Sequence, residues 1–249
     1  MTKREKLAIV RRWYPNAMTT IDTVNQLIDY IEDVLDLEPT HIMMADSICS
    51  DDVNSIQYPV RTAEFLGPFK MGGLDGYPFT GLTGMGAFAS HVPDDGAVYI
   101  YYGPHIGISK EGALGEIHRH GQSHTSGCCG AAKAGLKKLQ DGKIKKGEIS
   151  ELDYQMNTIE QILLAEENRI TSSGEPLLAA TEVIYEAINK RINELVSQTK
   201  YNCHYVILMG SILINSDSDM GSFSALRRFE IIDLNTGKSQ DLTAVFSGK

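Results

Sequence analysis

A chain of 249 residues, 42% hydrophobic and 22% charged, is long enough to bury one sizeable core and too apolar to remain disordered. Its formal charge of −9, from 32 acidic against 23 basic residues, comes without a basic stripe and argues against nucleic acid as a partner. Met1 to Trp13 is basic but lacks the apolar run of a signal peptide, and no stretch approaches the roughly 20 apolar residues of a membrane span. The expectation is a soluble cytoplasmic chain, or one of the plastid stroma if a transit peptide has been removed.

Ile21, Val24, Leu27, Ile28, Ile31, Val34 and Leu35 recur at helical spacing and predict a helix over 21–37, which Thr19 or Thr20 can cap. His41 to Cys49 reads as a short strand ending at Cys49-Ser50-Asp51-Asp52. From Gly67 to Gly86 glycines and prolines crowd together with aromatic residues among them, which predicts an ordered glycine-rich loop rather than a linker. Ala97 to Tyr102, β-branched and aromatic, predicts a central strand that ends at Gly103-Pro104-His105. A helix is expected to start at Gly130, directly after Cys129, and two longer ones over about 151–169 and 176–197. Tyr205 to Asn215 reads as a buried strand. Phe229 to Leu234 reads as another, turning through Asn235-Thr236-Gly237 into a partner over Leu242 to Phe246. No repeat or clean linker interrupts the chain. The pattern predicts one α/β domain over 1–249, with a helical N-terminal segment over about 1–40 and a motif-bearing core over about 41–140.

The cysteines are Cys49, Cys128, Cys129 and Cys203, too few in a chain of this length for a disulfide scaffold. Cys49, Asp51, His105, Cys128-Cys129 and His118-Arg119-His120 form the strongest constellation, because zinc favours thiolate and imidazole donors and catalytic sites leave one position open. Spacing alone leaves a zinc site and buried thiols equally open. Of the histidines His105, directly after a strand, is preferred, and His91 is its rival; His118, His120 and His124 read as solvated or supporting groups. Cys129 is preferred over Cys128 because a helix N-terminus stabilises a thiolate, and Cys203 reads as core within an apolar strand. Gly81-Leu82-Thr83-Gly84-Met85-Gly86 matches neither a dinucleotide fingerprint nor a phosphate loop. A Cys/His nucleophile pair would leave the second cysteine and Asp51 unexplained.

Five runs follow one another in the chain: Cys49-Ser50-Asp51-Asp52-Val53-Asn54, Gly72-Gly73-Leu74-Asp75-Gly76-Tyr77-Pro78-Phe79, Ser90-His91-Val92-Pro93-Asp94, Gly103-Pro104-His105-Ile106-Gly107 and Cys128-Cys129-Gly130-Ala131. In this order they resemble the limiting-CO2-inducible protein B and C family, a divergent, θ-type branch of the β-carbonic anhydrases. The resemblance implies a β-carbonic-anhydrase-like central sheet flanked by helices, with additional C-terminal helices and strands. It also implies a homodimer or higher homo-oligomer, Zn2+ held by Cys49, His105 and Cys129, and reversible hydration of carbon dioxide to bicarbonate. Cys49 and Asp51 match the β-class pattern Cys-x-Asp-x-Arg, but Val53 stands in the arginine's place. Asp51 then needs another cation to hold it off the metal. Arg119, in a polar loop that leads into Cys129, is the expected partner and joins Asp51 as a catalytic candidate; Arg61 is the rival. Gly73, Leu74, Tyr77 and Phe79 could wall a dry site for an apolar substrate. A second reading is a catalytically silent zinc-binding assembly or regulatory subunit of a carbon-concentrating system, with Asp51 closing the fourth metal position.

Overall fold

The computed structural model describes residues 1–54 and 60–247. Helix α1 (Lys3–Val10) starts on a reciprocal cap, in which the Glu5 N–H donates to Thr2 Oγ and the Thr2 N–H donates to the Glu5 carboxylate. After β1 (Met18–Thr19), Thr19 Oγ accepts the Asp22 N–H and starts α2 (Thr20–Leu35). The stripe that α2 buries is Val24, Leu27, Ile28 and Ile31, while Ile21 and Val34 stay exposed. Then come β2 (Ile42–Ser47), β3 (Leu66–Lys70), α3 (Gly81–Ala89), β4 (Ala97–Tyr102) and β5 (His105–Gly107). A small hairpin, β6 (Glu116–His118) with β7 (Thr125–Gly127), leads into α4 (Gly130–Gln140). Helices α5 (Tyr154–Ala165), α6 (Glu167–Thr171) and α7 (Pro176–Ser197) precede β8 (Tyr205–Asn215), β9 (Phe223–Asp233), β10 (Lys238–Asp241) and α8 (Thr243–Phe246).

Strands β3, β2, β4 and β8 lie side by side and parallel, and β9 runs antiparallel on β8. Strands β1 and β10 pair with β9, while β5 prolongs the line of β4 along the far half of β8. Every residue of β2 and β4 is buried, as expected of parallel strands covered on both faces. The two-residue alternation of the strands divides the interior. Met43, Ala45, Val98, Ile100, Val206 and Leu208 share one core with α3, α4, α5 and α7; Ile42, Met44, Tyr99, Ile207 and Met209 share the other with α2. The result is the expected α/β architecture, a central sheet flanked by helices with further helices and strands at the C-terminal end.

Several expectations about elements need correction. The stretch from Gly67 to Gly86 is not one loop, because β3 finds the open edge of β2 and α3 buries Met85 and Phe88 in the core. Packing there outweighs the poor helix propensity of glycine. The turn after β9 leads into β10, and Leu242 to Phe246 forms the helical turn α8 instead of a strand. Phe246 packs its ring against Phe229 at 4.5 Å and Tyr30 at 5.6 Å, contacts a solvated hairpin strand would forgo. Strand β9 begins at Phe223, well before Phe229, since β8 offers a ladder along nearly its whole length and polar Ser224 and Arg228 hide the strand from an apolar reading. The helix expected over 151–169 is two, α5 and α6, and Cys203 is buried just before β8 rather than within it.

One junction decides where the site falls. The chain leaves β4 and enters β5 through Gly103 and Pro104, and Gly103 has a φ of +152° with Ser211 O only 1.7 Å from where a Cβ would stand. No side chain fits that approach. Gly103→Ala is therefore expected to cost about 3 kcal/mol or more, because the clash is with backbone that cannot move without breaking the ladder. Urea unfolding measures it, and an unchanged midpoint would contradict the assignment of close approach.

Candidate metal centre

Parallel strands in register bring distant residues to one edge. Ser47, the last residue of β2, pairs with Tyr102, the last of β4, so Cys49 and His105 follow the carboxyl ends of neighbouring strands. Cys129 reaches the same edge as the residue that caps α4. The ligand atoms of Cys49, His105 and Cys129 all lie within 4.8 Å of one another, and all three residues are buried.

Two neighbours shape this cluster. The loop between Gly73 and Tyr77 presses onto it: the Asp75 N–H donates to Cys49 Sγ at 3.1 Å, and Asp75 Oδ1 accepts the His105 N–H at 3.4 Å. Asp75 is fully buried, and its Oδ2 has no partner. On the other side His105 Nδ1 lies 2.7 Å from Asn215 Oδ1, while Nε2 is buried without a hydrogen-bond partner. A buried unpartnered ring nitrogen beside two thiols is costly by itself and is a donor set suited to a soft divalent metal. The residues present fit zinc.

The electrostatics agree with that fit. Cys49 is pulled down to about 4, above all by its hydrogen bond with Cys129, against the opposing effect of burial and with help from His105. Cys129 is pushed up by the same bond and by burial, so Cys49 is the readier thiolate. Burial disfavours charge on His105, yet its contacts with Cys128 and Cys49 outweigh burial and push the ring well above its usual range. That upward push marks a cradle that favours positive charge at the ring, a demand a metal cation can meet. Asp75 is raised to about 6, first by burial.

Asp51 stands just outside the cluster. Arg119 Nη2 donates to both of its carboxylate oxygens at 2.9 Å, and the Val53 N–H donates to Oδ1 at 3.3 Å. Burial pushes Asp51 up, but the bonds it accepts from Arg119 and from the Val53 N–H pull it below its ordinary value. Arg119 follows β6 directly, and its Nε donates to Ser126 Oγ on β7 at 3.0 Å, so the hairpin aims the guanidinium. Arg61 is elsewhere, held by Asp29 and Glu32 of α2. His91, the rival to His105, is exposed beyond the end of α3 and, among the described residues, takes no part in the cluster. His118, His120 and His124 are exposed. Leu74, Tyr77 and Phe79 are half-buried, with Phe79 ringed by Tyr77 at 5.0 Å and Tyr154 at 5.5 Å.

Sequence reasoning missed the roles of Asp75 and Asn215. Asp75 was visible within the Gly72 to Phe79 run, but nothing in the run said that it would touch two other candidates. Asn215, 110 residues from His105, showed only as a polar residue closing an apolar strand.

A family model described as limiting CO2-inducible proteins B/C, beta carbonic anhydrases, matches residues 18–233. The chain belongs to this family. Its structure is similar to that of PtLCIB4, a homolog of the limiting CO2-inducible protein LCIB, at 28% identity and a TM-score of 0.83, covering 94% of this chain and 98% of that one. A mutant of the same homolog matches at 27% identity and a TM-score of 0.84, covering 95% and 97%. LCIB itself, at 18% identity and a TM-score of 0.68 over 92% and 95% of the chains, shows the shared fold. No curated protein matches the sequence. No helix among the described residues is long and apolar enough to cross a membrane.

The two arginines should separate in a stability measurement. Arg61→Ala removes ion pairs on an exposed helix face and is expected to cost no more than about 1 kcal/mol. Arg119→Ala leaves the largely buried Asp51 carboxylate without its bidentate partner, and about 1–3 kcal/mol is expected. Urea midpoints measured in one buffer decide it, and equal losses would contradict the contrast.

Proposed function

We propose that this protein is a zinc-dependent carbonic anhydrase, hydrating carbon dioxide reversibly to bicarbonate. The observation that carries the reading is the convergence of the Cys49, His105 and Cys129 ligand atoms within 4.8 Å in a chain of this family. Cys49, His105 and Cys129 would hold the ion. When bound, zinc lowers the pKa of a coordinated water from about 15.7 toward 7 and so supplies hydroxide near neutral pH.

The chain's own residues do the rest. Arg119 grips both oxygens of Asp51, so the carboxylate stays beside Cys49 and is not free to swing onto the metal. That tie weighs against a site closed by Asp51. With Oδ1 already accepting the Val53 N–H as well, Oδ2 keeps a lone pair with which to accept a hydrogen bond from the reacting water and orient it. Arg119 thereby supplies from a hairpin what Val53 cannot supply from the loop. A cleft of about 300 Å3 opens on Cys49 and Asp51, with Ile48 and Gly72 in its wall and Lys70 at its side. Ile48 offers carbon dioxide an apolar contact there, beside Asp46, Asp51 and Asp52 and a Lys70 ammonium that is paired with Asp46. We extend the proposal to a homodimer or higher homo-oligomer, as the family resemblance implies.

Elemental analysis of purified protein should find about one zinc per chain, with near-complete loss in Cys49→Ser, His105→Ala and Cys129→Ser. Full retention in any of the three removes that residue from the ligand set. Stopped-flow assay of carbon dioxide hydration tests the activity. Arg119→Ala, checked for retained zinc, should lose roughly 100-fold or more in rate while Arg61→Ala keeps wild-type activity. Two wild-type rates would remove Arg119 from the mechanism.

The pH profile gives a separate check. Two thiolates donate more charge to the ion than imidazoles would, so activity is expected to rise with pH through an apparent pKa above about 7. A flat profile from roughly pH 6 to 9 would argue against a titrating water.

A further inference from the structure

Asn215 ends β8 with its side chain buried, and chemistry fixes which way its amide points. Nδ2 lies 3.0 Å from the Val53 carbonyl oxygen and 3.2 Å from Asn54 Oδ1. A carbonyl only accepts, so the NH2 faces Val53 and Oδ1 faces the opposite side. There Oδ1 meets His105 Nδ1 at 2.7 Å and Cys128 Sγ at 3.6 Å. An amide oxygen also only accepts. Nδ1 therefore carries the hydrogen, and the lone pair of the neutral ring sits on Nε2, the nitrogen left without a partner. The same oxygen accepts the Cys128 S–H, which engages that thiol on the Nδ1 side of the ring while Cys129, the next residue, joins Cys49. Through Asn54, whose Nδ2 donates to Cys49 O at 3.5 Å, the amide also reaches the loop that carries Cys49 and Asp51.

We propose that Asn215 is a positioning residue of the metal centre: its amide sets the His105 tautomer and engages Cys128, so that His105 Nε2 and the Cys129 sulfur are the groups presented beside Cys49. The inference rests on the zinc reading above for its affinity arm but not for its tautomer arm. Hydrogen-bond partners of metal-binding histidines generally alter metal affinity by about 10–100-fold when removed.

The experiment compares wild type, Asn215→Asp and Asn215→Leu, using 15N-histidine NMR and zinc affinity by chelator competition. In the zinc-loaded wild type, His105 should show a protonated Nδ1 and a metal-bound Nε2. Asn215→Asp keeps the acceptor toward Nδ1 and should keep that signature, although it loses the donor to the Val53 carbonyl and its zinc affinity is not the readout. Asn215→Leu removes the acceptor and should lose the signature, with zinc bound about 10–100-fold more weakly. Metal on Nδ1 in the wild type overturns the proposal, as does a folded Leu variant with wild-type affinity and spectrum. If the Leu variant does not fold, the wild-type spectrum and the Asp variant decide between the same two outcomes. If the wild type takes up no zinc, the zinc reading fails. The spectrum of the metal-free protein at alkaline pH then tests Asn215 alone, a hydrogen on Nδ1 supporting its role and a hydrogen on Nε2 ending it.

Discussion

Burying an imidazole and two thiols within 4.8 Å of one another is the constraint on which the rest of this structure turns. Left to themselves such groups would lower stability, since a buried polar atom without a partner loses its hydration and gains nothing. The fold surrounds them with donors that suit thiolates and an acceptor that suits the ring N–H. Asp75 donates its N–H to one thiol, Asn215 takes the far side of the ring, and α4 points its N-terminus at the other thiol. Among the described residues, His105 Nε2 and Asp75 Oδ2 are left at this cluster with nothing to bond.

That convergence depends on the sheet. Because β2 and β4 run parallel and end in register, Cys49 and His105 need no long excursion to meet. The price of bringing the glycine-rich loop down onto them is close backbone contact: a Cβ at Gly76, where φ is +79°, would stand 2.3 Å from Gly103 O. Glycines at both positions let two chain segments pass where side chains could not. Of the glycines between Gly67 and Gly86, Gly72 and Gly76 are pressed on the segments that carry Cys49 and His105, while Gly81 and Gly86 of α3 meet open space.

A second layer handles the carboxylate. Asp51 lies two residues beyond Cys49 and would be a natural metal ligand if it were free to turn. The β6–β7 hairpin delivers Arg119 from far along the chain, and its guanidinium holds both carboxylate oxygens. Charge pairing of this kind needs geometry rather than sequence proximity, so an arginine from a hairpin can serve where Val53 occupies the nearby position.

The residues themselves settled a good deal. Helical and strand periodicities placed α2, β4, α7 and β8 closely, because each carries an unbroken apolar pattern that its burial requires. Cys49, His105 and Cys129 stood out by residue type and by their positions at element ends, and the order of the five motif runs pointed to the family. Elements whose stability comes from neighbours were not legible: β3 needs the edge of β2, α8 needs Phe229 and Tyr30, and the early part of β9 needs the length of β8. The choice of His105 over His91 beside the thiols, of Arg119 over Arg61 beside Asp51, and the contacts of Asp75 and Asn215 were likewise decided only in three dimensions. Hydrogen bonds and ion pairs act over about 3 Å of space, and a linear sequence does not record which of its distant polar groups the packing of the sheet will bring that close.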